Sequence, residues 1–186
     1  MTRIISGAAG GRTLTVPATG TRPTADRVRE AVFSRFEALT TIAGARVLDL
    51  YAGSGAVGLE AASRGASRVD LVDNSEKAVR VMSKNVGLVA PAVPTCSIRV
   101  HRSSVAGYVG ASAETWDIVF IDPPYELDND ALLTAMTLLL PHLAPDAVVA
   151  VERASRDPEP VWPEGYATLA PKDYGETRVY WLEPAE

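Results

Sequence analysis

The sequence predicts an α/β protein: a doubly wound, mostly parallel seven-stranded sheet with an antiparallel C-terminal edge, preceded by a small hairpin and helix. Three observations carry this. From Gly44 onward, apolar runs of strand length alternate with segments of helical period. The first run ends in Gly53-x-Gly55-x-x-Gly58, a glycine turn of the kind that opens a helix after a strand. The last two runs follow one another with no helix between them, which marks an antiparallel pair.

The elements follow in order. Arg3–Ser6 and Arg12–Val16 alternate in character across a glycine-rich link and read as a hairpin or arm. Arg22-Pro23-Thr24 precedes a helix whose apolar stripe is Val28, Val32, Phe36 and Leu39, with Thr24 as N-cap. Arg27, Glu30 and Arg35 lie off that stripe. Arg46–Tyr51 reads as the first strand of the sheet and Ala56–Ser63 as a helix stopped at Gly65. Arg68–Asp73 is a strand, and Ser75 to about Leu88 a helix. Ser97–Val100 and Trp116–Asp122 are strands, Asp130–Leu140 an apolar helix stopped by Pro141, and Ala147–Glu152 a strand. Tyr166–Ala170 and Arg178–Leu182 close the sheet across a turn containing Gly175. Two regions result: 1–40, the arm and its helix, and 41–186, the sheet.

Composition excludes several classes. The chain has 186 residues, 47% hydrophobic and 22% charged, ordinary values for one globular domain. Its longest strongly apolar stretch, Ala131–Leu140, is too short to span a bilayer, and the first residues lack the apolar core of a signal peptide. A cytoplasmic location is expected. Cys96 is the only cysteine, so there is no internal disulfide and no cysteine-based zinc site. His101 and His142 have no companions at ligand spacing, and no metal is expected. Trp116, Trp162 and Trp181 belong to apolar surroundings and read as core. Net charge is −5, yet residues 1–36 carry six arginines against Asp26 and Glu30, a surplus of +4 that leaves −9 on the rest. A basic segment on an acidic body is the pattern of a localised phosphate-binding face. Arginines on an exposed helix can equally serve only to solvate it.

Two motifs carry chemistry. The glycine turn permits close approach of a ligand to backbone, and Asp73, ending the next strand, stands where an acidic residue grips a ribose. Alone, this pair suits any adenosine-containing cofactor, NAD included. Asp49, just before the glycines, would repel a pyrophosphate but suits the cationic amino-acid end of S-adenosylmethionine. The second motif is Asp122-Pro123-Pro124-Tyr125, after the strand Trp116–Ile121. The prolines stiffen the loop and cannot donate. What remains is a carboxylate, free carbonyls and a flat ring, which suits a planar group bearing an NH2, such as a nucleobase. Pro-Pro can also simply end a strand, with Tyr125 capping the core. In a parallel sheet the loop lies beside the glycine turn, so an amine-binding pocket would adjoin a methyl donor.

The whole constellation resembles the Rossmann-like class I methyltransferases, and among them the RsmD family of bacterial rRNA guanine-N2 methyltransferases. The resemblance rests on Arg3-Ile4-Ile5-Ser6-Gly7, on Arg22-Pro23-Thr24 with Arg27 and Arg29-Glu30, and on Leu48 to Gly55. It continues through Gly58 to Ala66, Asp122 to Tyr125, and Val151-Glu152-Arg153. It implies methyl transfer from S-adenosylmethionine to the 2-amino group of one guanine in 16S rRNA, on assembled or nearly assembled small subunits. A monomer is expected because the sequence shows no surplus apolar surface segment. The cofactor would be held by Asp49, Tyr51, Gly53, Ser54, Gly55, Gly58, Asp73, Asn74, Ser103, Ser104 and Asp122, leaving S-adenosylhomocysteine as product. RNA would be held by Arg12, Arg22, Thr24, Arg27 and Arg29, although Arg22-Pro23-Thr24 could instead help to close the cofactor pocket. Two positions depart from the family: Asp73 stands where glutamate is usual, and Ser103-Ser104 where many relatives have aspartate. Asp122 and the Pro123 carbonyl would aim the amino nitrogen, with Tyr125 stacked on the base. Rival readings are an adenine-N6 DNA methyltransferase, an NAD-binding oxidoreductase and a non-catalytic RNA-binding factor.

Overall fold

A computed structural model describes residues 2–16, 25–124 and 126–185. Arg22, Pro23, Thr24 and Tyr125 therefore lie outside the described residues. The chain opens with β1 (Thr2–Arg3) and β2 (Thr13–Leu14), an antiparallel pair, followed by α1 (Ala25–Leu39). The sheet contains β3 (Arg46–Leu50), β4 (Arg68–Asp73), β5 (Ser97–Arg102), β6 (Trp116–Ile121), β7 (Leu143–Ala154), β8 (Tyr166–Tyr174) and β9 (Thr177–Pro184). Between them run α2 (Ala56–Ser63), α3 (Glu76–Val89), α4 (Val105–Ala111) and α5 (Asn129–Leu139). The strand order is β5-β4-β3-β6-β7-β9-β8, with β9 antiparallel to both of its neighbours.

Alternation along the strands sorts the core into two layers. Val47 of β3, Ile118 and Phe120 of β6, and Val148 and Ala150 of β7 face α1, α2 and α3. Leu48, Leu50, Val119, Ile121, Val149 and Val151 face α4 and α5. The N-terminal region shares the first layer: Ile4, Leu14, Val32, Phe33 and Phe36 are buried there. The aromatic edge of Phe36 meets Trp181 at 5.0 Å between centroids. Phe33, absent from the expected stripe, also carries the Arg64 guanidinium 4.9 Å above its ring.

Most elements match the expected ranges, and α2 and β4 do so residue for residue. The helix α4 was not anticipated. Gly107 and Gly110 weaken its pattern, but Val105 and Val109 are buried one turn apart, and the Ser104 hydroxyl caps it by accepting from the Gly107 N–H at 3.1 Å. β7 begins four residues earlier than expected because Leu143 still pairs with Trp116 across an irregularity.

Asp70 shows how a buried charge is accommodated within the sheet. Asp70 on β4, wholly buried, accepts from the Trp116 indole at 3.0 Å and lies 3.1 Å from the His101 ring. Gly58 lets α2 rest directly on β4: a Cβ there would sit 2.3 Å from Leu71 Cδ2 and 2.8 Å from Val69 Cγ1. Gly58→Ala is therefore expected to cost about 1–3 kcal/mol by overpacking, read as a lower urea midpoint at unchanged slope. An unmoved midpoint would show that α2 can slide off the sheet freely.

Candidate active site

The strand order reverses between β3 and β6: the chain steps outward from β3 to β4 and β5, then returns to β6 on the other side of β3. Ligands of such sheets sit at that point, beyond the strands' C-terminal ends. Leu50 pairs with Ile121, and the Asp122 N–H donates to the Leu50 carbonyl at 3.4 Å. The turn 51–58 and the loop 122–124 therefore leave the sheet side by side.

The turn is conformationally unusual. Tyr51 holds φ 59°, the left-handed region, without being glycine. Gly53 and Gly55 hold φ 56° and 76°, and Gly55 caps α2 with no side-chain bond. Neighbouring elements hold the turn in place. Asp73 accepts from the Gly53 N–H at 3.0 Å and, through its other oxygen, from the Ser75 N–H at 2.8 Å. Asp49 accepts from the Gly58 N–H at 2.8 Å. Asn85, on α3, donates to the Ser54 carbonyl at 2.8 Å.

Asp49 is 2% exposed and lies beneath the turn rather than on its rim. Burial pushes its carboxyl up to about 7, against the pull of the Gly58 N–H and with a further push from the Asp73 charge. Burial also raises the Tyr51 phenol, while the Arg153 charge draws it back. Arg153, buried at the end of β7, donates to the Leu127 carbonyl at 3.1 Å and so ties down the chain beyond Pro124. The Leu127 N–H in turn donates to the Pro124 carbonyl at 2.9 Å.

Beside the turn opens a cleft of about 280 Å³ lined by Tyr51, Asn74, Ser103, Ser104, Val105, Ala106, Leu127, Ala131, Thr134 and Ala135. Its walls suit the adenosine half of S-adenosylmethionine. Val105 and Ala135 offer apolar contact. Ser103 and Ser104 each keep acceptor capacity, although the first hydroxyl donates to the Ser104 carbonyl and the second caps α4. A carboxylate has about four lone-pair sites; Asp73 commits two to backbone and keeps two for hydroxyls.

Of the expected cofactor contacts, Tyr51, Asn74, Ser103 and Ser104 line the cleft, whereas Asp49, Gly55 and Gly58 lie under the turn. Asp122 is exposed and Pro123 buried at the adjoining loop. Arg12 and Arg27 are exposed on the N-terminal region. Arg29 requires a correction. It is 5% exposed and does not belong to an RNA-facing set: its guanidinium donates to the Arg3 carbonyl and to Asp26 at 3.1 Å, and faces Glu60 at 4.0 Å. Among the described residues, no group of three or more His, Cys, Asp or Glu could hold a metal ion, and no helix is long and apolar enough to cross a membrane.

Three residues at or behind the site have no role in the sequence reading: Glu60, Asn85 and Arg153. Glu60 sits in α2 among Leu59, Ala61 and Ala62, a helix with no polar face, so its side chain had to be buried and paired. Asn85 falls on the stripe of Ala78, Met82 and Val89, at the spacing of a core residue. Arg153 enters only as part of the Val151-Glu152-Arg153 stretch, and its spacing says nothing of a partner.

The sequence profile of the family described as conserved hypothetical protein 95 matches residues 2–183. The chain is 33% identical over 186 residues to ribosomal RNA small subunit methyltransferase D of Escherichia coli (strain K12), covering 97% of this chain and 90% of that one. It is 31% identical over 175 residues to the protein of the same name from Haemophilus influenzae, covering 93% and 89%. The solved structure of yhhF from Escherichia coli superposes with TM-score 0.83 at 32% identity, covering 98% of this chain and 97% of that one.

The position of Asp49 has a consequence for stability. The unfolded chain loses this proton near 3.8, the folded chain near 7. Between those values the folded state binds more protons, so stability falls as pH rises. Asp49→Asn keeps an acceptor for Gly58 and has no such proton. Relative to the natural chain, its stability is expected to climb between about pH 4 and pH 8 by on the order of a few kcal/mol, followed by urea unfolding at successive pH values. Parallel pH profiles would show that Asp49 keeps its charge at no cost.

Proposed function

The chain belongs to the family of the ribosomal RNA small subunit methyltransferases D, with a Rossmann-like methyltransferase fold, and from that membership we propose that it transfers a methyl group from S-adenosylmethionine to the exocyclic N2 of a guanine in 16S rRNA of the small ribosomal subunit. One observation carries the reading: the glycine turn and the Asp122 loop leave neighbouring parallel strands at the switch point, joined by the bond from Asp122 to Leu50. A cofactor on the turn and an amine at the loop would then lie within reach of each other.

S-adenosylmethionine supplies a methyl group activated by its bond to a sulfonium. The chain's own residues supply position. Asp73 is the candidate for the ribose hydroxyls, and Asn74, Ser103 and Ser104 for the adenine. The guanine amine is a poor nucleophile because its lone pair is shared with the ring, so it must be aimed. Asp122 and the Pro123 carbonyl accept its hydrogens, Tyr125 stacks on the base, and Arg153 steadies the loop through Leu127. As the N–C bond forms, the methyl–sulfur bond would break to leave S-adenosylhomocysteine, and the amine's proton would pass to Asp122 or to water. Orientation and fixed charge carry the catalysis. A paired guanine is unreachable, so the target is unpaired or flipped.

The exposed Arg12 and Arg27, with Arg22, are the phosphate contacts of this reading. They fix register without carrying sequence information.

Labelled S-adenosylmethionine offered with small subunits, naked 16S rRNA or DNA tests the proposal. Label is expected on N2 of guanine in rRNA; label on adenine N6 of DNA, or no transfer to any nucleic acid, would overturn it. Asp122→Ala is expected to lower transfer about 100-fold or more at saturating S-adenosylmethionine. An unchanged rate would remove Asp122 from its role. Replacing Arg12 and Arg27 together by alanine is expected to weaken RNA binding and flatten its log–log salt slope by about 0.7–0.9 per arginine.

A further inference from the structure

The side chain of Asn85 is wholly buried and joins three segments. Its Oδ1 accepts from the Thr15 N–H at 2.8 Å, and its Nδ2 donates to the Thr15 carbonyl and to the Ser54 carbonyl, each at 2.8 Å. Thr15 belongs to the N-terminal arm, one residue beyond β2. Ser54 is the middle of the glycine turn. The paired N–H and C=O of Thr15 fix which way the amide points, and both of its N–H donors are then used.

The Ser54–Gly55 peptide depends on this amide. Its rotation would change ψ of Ser54 and φ of Gly55, and Gly55, at φ 76°, tolerates either sign of φ. Its N–H donates to the Ala52 carbonyl at 2.7 Å, and its oxygen is held by Asn85. Without Asn85 the oxygen side is loose and the peptide can rotate. Displacing the arm likewise strands a buried amide donor, which is unfavourable. The two contacts therefore stand or fall together.

We propose that Asn85 is a positioning residue that couples the N-terminal arm to the cofactor turn, so that occupancy of the turn orders the arm for RNA and RNA on the arm tightens the turn. The inference rests on the functional reading above, in which the turn holds S-adenosylmethionine and the N-terminal region contacts rRNA. Coupling between two sites is reciprocal, and the element that would carry it is the peptide before Gly55, held on its oxygen side by Asn85. The contacts of the arm with Glu60 do not reach the turn: Glu60, midway along α2, accepts from the Ile5 and Ser6 N–H groups at 2.7 and 3.0 Å.

The test uses the full chain, S-adenosylhomocysteine and unmethylated small subunits. In the natural protein, saturating S-adenosylhomocysteine is expected to tighten subunit binding about fivefold or more, and subunits to tighten S-adenosylhomocysteine by the same factor. In Asn85→Ala, and in Asn85→Asp, which keeps the acceptor for Thr15 but loses both donors, the factor is expected to fall to about one. A residue that serves stability alone would lower the unfolding midpoint and leave the factor unchanged in the folded protein, and that result would overturn the proposal. If neither variant folds, hydrogen exchange in the natural protein decides. S-adenosylhomocysteine is expected to slow exchange of the Thr15 amide about tenfold, and an indifferent Thr15 amide would overturn the coupling. A natural chain that binds both ligands with a factor of one overturns the coupling but spares the functional reading. A chain that binds neither overturns both.

Discussion

The turn between β3 and α2 cannot hold its own shape, and much of the site follows from that constraint. A left-handed tyrosine and two left-handed glycines occur within five residues, and α2 begins with no side-chain cap of its own. Each anchor comes from outside the turn: Asp73 from β4, Asn85 from α3, Asp49 from β3 below. A loop built this way takes most of its order from tertiary contacts, beside the one bond within it from the Gly55 N–H to the Ala52 carbonyl. In return its backbone stands clear of side chains, which is what a ligand lying along it requires.

The anchors differ in electrostatic character. Asp73 is partly exposed and accepts two N–H bonds. Asp49 is sealed in, and one N–H bond does not offset the loss of water, which is why its carboxyl rises to about 7. The Asp73 charge adds to that rise. The underside of the turn thus stores negative charge near the neutral range and at a cost to stability. A fold chosen for stability alone would place an amide at Asp49. The carboxylate is intelligible if a cation is to lie on the other side of the turn.

What was legible in the sequence was local. The glycine spacing, the stiff Asp122-Pro123-Pro124 loop and the strand–helix alternation are statements about neighbouring residues, and α2 and β4 match the expected ranges to the residue. The placement of the Asp122 loop beside the glycine turn was expected from those motifs, because parallel α/β sheets place ligands at one point, but the order of the strands was not read from the sequence. Glycines hid α4, since its two buried valines are too few to announce a helix. Partners distant in sequence were illegible for a different reason. Asn85 meets Thr15 across 70 residues, and Arg153 meets Leu127 across 26. A polar side chain on a buried stripe declares that it has a partner but not which one.

Arg29 shows the limit of reading charge from composition. The N-terminal surplus is real in the sequence, yet a charge count is not a surface field. Arg29 and Arg64 both turn to Glu60, which is wholly buried, and Arg64 reaches it at 2.8 Å. Glu60 also takes the Ile5 and Ser6 N–H groups, so this cluster clasps the arm to α2. Buried ion pairs of this kind contribute little net stability, because desolvation offsets attraction, but they discriminate strongly against any arrangement that leaves one member unpaired. The Ile5–Ser6 stretch of the arm is thereby clasped to α2, separately from the contact of Thr15 with Asn85, and Arg3, Arg12 and Arg27 are left exposed. Phosphate contacts set register from such an anchored base, which one further exposed charge would not supply.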